Sequence, residues 1–218
     1  FKHLIEPSFG IQRTTPFRDF DRVIKNDYAV DTMVGGVTTM NYKITNRLMA
    51  RRVNKGGPPG GAGLIREILS VDIGQSYYTD ALAASYDTQY QSITSTGETV
   101  TTQPKGVFSP IQVNATARPT ELASAQFRME IDSKFKAIRT LGASGSLQSP
   151  HANITAGWSK RQVIEGLPGF EPDRADHFLN AMTTIKASDN RVGGTYSVNY
   201  DIKAGAFLQQ RILAYYNS

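Results

Sequence analysis

The chain has no cysteine, which removes disulfide frameworks and thiolate metal sites from consideration and says nothing direct about redox compartment. No run of about 18 apolar residues occurs, so no segment has the length to cross a bilayer as a helix. Histidine is scarce: His3, His151 and His177 stand far apart, none with a partner at metal-helix spacing. No Ser, His and acid arrangement can be picked out, so catalysis is not expected. Helical periodicity is missing as well, and the opening FKHLIEPSFG lacks the basic start, apolar middle and small-residue cleavage site of a signal peptide. It already looks like a strand, as in an interior piece or a mature fragment. The Gly- and Pro-rich NKGGPPGGAG (54–63) resembles a phosphate cradle only loosely, since neither Gly-Lys-Ser nor Gly-Lys-Thr follows it.

What the chain does have is alternation. In AQFRMEIDSKF (125–135), Phe127, Met129, Ile131 and Phe135 hold one parity, and Gln126, Arg128, Glu130, Asp132 and Lys134 the other. Period two puts such sets on opposite faces of a strand. About ten segments show the design: 3–12, 37–52, 68–78, 110–118, 125–135, 139–148, 152–160, 177–187, 191–202 and 206–218. Several reach ten residues, longer than the ~5–6 of ordinary strands and close to the ~9–11 that cross a bilayer at a tilt. Only 39% of the residues are hydrophobic and 20% are charged, a poor supply for one soluble core that must cover every apolar face.

The connections alternate too. Counted in order, the two longest (13–36 and 79–104) are odd, as is 166–176, while three of the four even ones are tight and hold turn formers: Pro119-Thr120, Ser149-Pro150 and Asp189-Asn190. A transmembrane barrel has short turns on one side and long loops on the other. The expected fold is therefore all-β, an antiparallel transmembrane β-barrel of which residues 1–218 supply about ten strands. Apolar parities would meet hydrocarbon, and Lys43, Arg47, Arg51, Asp72, Arg118, Arg128, Glu130, Asp132, Lys134, Asp201 and Arg211 would face the lumen.

Three stretches carry a resemblance: TMNYKITNRLMAR (39–51), IREILSVDIGQSYY (65–78) and FLNAMTTIKASDNRVGGTYSVNYDIKAGAFLQQRILAYYNS (178–218). They resemble the C-terminal barrel region of the LptD family of lipopolysaccharide-assembly proteins, also called organic solvent tolerance proteins. The resemblance implies a Gram-negative outer-membrane location, a very large barrel around an LptE-like lipoprotein plug, and an N-terminal jellyroll fed by an LptA-like periplasmic bridge. Lipopolysaccharide, the cargo, then leaves sideways among the outer-membrane lipids through a seam between first and last strands. The family's jellyroll, its early strands, its adjacent cysteines and its final strands have no counterpart in these residues, so the expectation is a partial barrel with two unpaired edges.

The alternatives are a porin-like channel and a soluble all-β binding protein. The formal charge of +5 is spread among acids with no aromatic-basic patch, which argues against nucleic acid and suits lipopolysaccharide phosphates better. No metal or cofactor is expected.

Overall fold

The computed structural model describes residues 1–16, 36–51, 65–80, 91–93, 99–101, 106–167, 169–187 and 191–216. Ten long strands form one antiparallel sheet: β1 (Lys2–Thr14), β2 (Val37–Arg51), β3 (Ile65–Tyr78), β6 (Ile111–Ala117), β7 (Ala123–Ile131), β8 (Ile138–Gln148), β9 (Ala152–Arg161), β10 (His177–Lys186), β11 (Val192–Asp201) and β12 (Ala206–Tyr216). Each pairs with its sequence neighbours, so the order is a plain meander. The β3–β6 connection carries a small separate hairpin, β4 (Gln91–Ile93) with β5 (Thr99–Thr101), within the segment that alternation reads as loop. The only helix among the described residues is a 3-10 turn at Pro172–Arg174. The sheet is open, with β1 and β12 as its edges.

Directly opposed residues of an antiparallel pair point to the same face, so the register sorts every side chain. Val71, Ala115, Phe127, Ala143, Trp158 and Leu179 stand side by side across six strands. One residue further along each strand, Asp72, Asn114, Arg128, Gly142, Ser159 and Phe178 do the same on the opposite face. Each strand's own alternation is thus continuous with its neighbours', giving one apolar face and one polar face. Three bulges adjust the register, each inserting one residue: Ile68 in β3, Arg139 in β8 and Leu208 in β12.

Burial is concentrated at one end, Thr45 in the middle of β2 being an exception. The buried residues Val37, Tyr78, Ser76, Ser109, Asp132, Arg139, Arg161, Ile164, Leu167 and Phe170 all lie along the rim of the odd-numbered connections. The apolar face itself is open: Ile5, Phe9, Ile44, Ile73, Leu179 and Ile212 are among its exposed side chains, Ile212 at 77%. Ten strands at ~4.8 Å spacing with an apolar band ~25 Å tall present on the order of 1,000 Å². That exceeds the few hundred Å² of a typical soluble monomer's largest apolar patch.

The strand expected over 125–135 ends at Ile131. Asp132 breaks it because its carboxylate serves the turn, Oδ1 accepting from the N–H groups of Lys134 and Phe135, both at 2.8 Å. Asp132 and Lys134 are therefore turn residues and not part of a charged stripe along the strand. The tight even turn 149–152 behaves as its sequence suggests: the Ser149 hydroxyl accepts from Ala152 N–H at 3.0 Å, and Ser149 N–H donates to the Ala152 carbonyl at 2.7 Å. The Gly- and Pro-rich 54–63 segment and the Asp189-Asn190 turn lie outside the described residues.

Candidate functional site: a polar hollow behind an apolar face

The polar face forms a hollow of about 1320 Å³ reaching from β6 to β12. Its middle is built from small and neutral groups: Ser124, Gln126, Ser144, Ser146, Thr155 and Asn180. Ser124 and Ser146 share a hydroxyl hydrogen bond of 2.7 Å. Gly157 lets the chains close up, since a Cβ there would meet the Asn180 side chain.

The register places Lys43, Arg47, Asp72, Arg128, Glu130, Asp201 and Arg211 on this same face. They do not form one cluster. On β2 and β3, the Lys43 ammonium lies 3.6 Å from Asp72, which also accepts from the Thr45 hydroxyl at 2.5 Å. Arg47 pairs across both its neighbours, with Glu6 at 3.2 Å and Glu67 at 3.5 Å. Arg128 donates to the Asn114 side-chain oxygen at 3.2 Å at the hollow's margin. Asp201 holds the β11–β12 turn by accepting from Ala204 N–H at 3.0 Å. Arg211 is exposed on the edge strand, and Arg51 shares the parity of Lys43 and Arg47 at the far end of β2. Arg118 lies one residue past β6; its N–H donates to the Ile68 carbonyl at 2.8 Å and its carbonyl accepts from Arg66 at 2.7 Å.

Alternation does not reveal a buried ion-paired cluster that closes the hollow at the odd rim. Here the β9–β10 connection folds over the polar face. Arg161, on that face by its pairing with Thr140, bonds Asp176 at 2.9 Å and donates to the Gly169 carbonyl at 3.4 Å. The bulge residue Arg139, fully buried, lies 3.4 Å from the Asp132 carboxylate and 5.0 Å from the Phe170 ring centroid. Ile164, Leu167 and Phe170 pack with Phe135 and Ala137 above these charges. Gly166 and Gly169, at φ +78° and +87°, supply the left-handed turns that bring the three apolar residues together. One signal was available in the sequence: VIEGLPGFE places apolar residues every third position in a Gly-containing loop, flanked by Arg161 and Asp176.

Glu171 holds the same loop from its solvent side. Its carboxyl is drawn below the usual carboxylate range by hydrogen bonds from its own backbone N–H and then from Gly169 N–H, with Arg174 nearby.

Three aromatic contacts of the apolar face lie toward the odd rim, while Phe127 and Tyr196 stand at mid-strand and Tyr216 at the opposite rim. Tyr77 packs on Phe108 with centroids 5.1 Å apart, and Tyr200 on Phe207 at 4.9 Å. Trp158 donates its indole N–H to His177 Nε2 at 2.7 Å. A scan against protein-family models found no match for the chain, and a search of curated proteins likewise found none.

Proposed function

We propose that these strands are part of the wall of an outer-membrane β-barrel that assembles and exports lipopolysaccharide. The observation that carries the membrane part of this reading is the continuous exposed apolar face, backed across the same ten strands by a polar one. Hydrocarbon covers such a face without a second layer, and the antiparallel ladder satisfies the backbone within the membrane. Aromatics along the odd rim suit the level of the lipid headgroups, where amphipathic rings settle.

The lipopolysaccharide part rests on the resemblance of residues 39–51, 65–78 and 178–218 to the LptD family. On that reading the cargo's sugars and phosphates pass the hydroxyl- and amide-lined hollow with its cationic margin. The LptE-like plug and the LptA-like bridge would be partners of the whole assembly. One observation favours a porin-like channel instead: a loop folded onto the polar face narrows the hollow, as a constriction does.

A photoreactive amino acid at Ser144, with the gene expressed in its own cell envelope, separates the two. The expected result is a covalent lipopolysaccharide adduct that disappears when the probe sits at Ala143, one residue away on the apolar face. Ion conductance in planar bilayers without any adduct at Ser144 would replace export by a channel. A chain recovered without detergent or lipid as a soluble monomer would overturn both.

A further inference from the structure

We propose that the β9–β10 connection, described at 162–167 and 169–176, is a latched lid that controls entry to the polar hollow from the odd rim. Its form is that of a compact Ω-loop, whose ends meet and whose own side chains fill it. The neck is Arg161 against Asp176, joined twice: Arg161 N–H donates to the Asp176 carbonyl at 3.0 Å and the side chains pair at 2.9 Å. Between the ends, Ile164 N–H donates to the Phe170 carbonyl at 3.0 Å, folding the loop back on itself.

What lies beneath the lid shows that it closes something. The hollow runs along the polar face as far as Arg128, Gly142, Ser159 and Phe178 and stops there. The next row, Glu130, Thr140 and Arg161, belongs to the same face by register, yet Glu130 and Arg161 are buried. Gly169 of the loop touches this row at Arg161, and Phe170 covers the bulge residue Arg139 beside Thr140.

The way it is held makes it a lid rather than a floor. Among the described residues its apolar anchor is Ile164, Leu167 and Phe170 on Phe135 and Ala137, while the sheet below is joined by ladders that run the length of the strands with one bulge at Arg139. Segments with few buried apolar contacts open at a lower free energy than the ladders they rest on. Buried ion pairs add little net stability but penalise separation of the partners, which is the behaviour of a latch. Lys203 steadies the outer side, its ammonium donating to the Pro172 carbonyl at 2.8 Å and the Ala175 carbonyl at 3.1 Å. This inference does not depend on what the apolar face meets.

Absence of cysteine from the chain makes the test clean. A single cysteine replacing the half-buried Thr140 reports the covered row, one replacing the exposed Asn199 reports the open hollow, and both are timed against a maleimide on the full chain in detergent micelles. In the unaltered background Cys at 140 should react more slowly than Cys at 199. Asp176→Asn should speed the first by about tenfold or more and leave the second within about twofold. The exchange of partners, Arg161→Asp with Asp176→Arg, should restore slow reaction. Equal rates at the two sites, or no response at 140 to Asp176→Asn, overturn the lid. Should Asp176→Asn fail to fold, urea decides: labelling at 140 that rises while Trp158 fluorescence is unchanged supports local opening. A rise that only accompanies the loss of Trp158 signal shows a fixed part of the sheet.

Discussion

Arginine placed at two adjacent positions of β9 tests the assignment of faces with little else altered. Ala156 stands on the apolar face, opposite Gly145 and Ala181; Thr155 stands on the polar face, opposite Ser146 and Met182. Both lie in the middle of Ala152–Arg161, so they share depth, strand propensity and ladder context. In water, both changes would sit on open surface and cost within about 0.5 kcal/mol of one another. In a bilayer, Ala156→Arg must bring a guanidinium into hydrocarbon near the midplane, at about 2 to 4 kcal/mol. Thr155→Arg enters a hollow of about 1320 Å³ already lined by hydroxyls and amides, where solvation persists and the cost should stay below about 1 kcal/mol. The difference, about 1 to 4 kcal/mol, corresponds to roughly a five- to several-hundred-fold change in the folded-to-unfolded ratio. Urea titration of the chain inserted in lipid vesicles, followed through Trp158 fluorescence, measures it. Equal losses for the two variants, or a larger loss for Thr155→Arg, refute the face assignment and with it the membrane reading.

The structure also ranks its ion pairs. Lys43→Met removes a partner from a pair at the surface, with side chains 53% and 31% exposed, and should alter stability by about 0–1 kcal/mol. Arg161→Met leaves Asp176, 17% exposed, without its partner beneath the lid; about 3 to 5 kcal/mol is expected, seen as a lower urea midpoint. Glu171 gives the lid an acid dependence. A carboxylate whose folded pKa is depressed contributes stability that is complete above its unfolded value and disappears as pH falls through the folded one. Maleimide labelling of Cys at 140, normalised for thiolate content, should therefore accelerate below the ordinary carboxylate range, and Glu171→Gln should flatten that acid response while raising the rate at neutral pH.

Local sequence determined the strands. Period-two alternation located all ten long ones within a few residues at each end, and the Ser149-Pro150 turn followed from its own hydroxyl and ring chemistry. Parity along each strand also told which residues share a face as far as the bulges, because the side-chain period is two wherever the strand is regular. Tertiary structure decided the relations between strands. Only pairing could align ten separate parities into one apolar and one polar face, and only the ladders could show where Ile68, Arg139 and Leu208 slip the register. Where backbone hydrogen bonds leave the ladder, alternation loses its meaning: Asp132 and Lys134 kept the parity of Glu130 but belong to a turn held by the Asp132 carboxylate. The lid was hidden for the same reason. Arg139 and Asp132 are seven residues apart and Arg161 and Asp176 fifteen, in segments with no common period. Their contacts exist because the bulge at Arg139 and the left-handed glycines at 166 and 169 turn those chains toward one another.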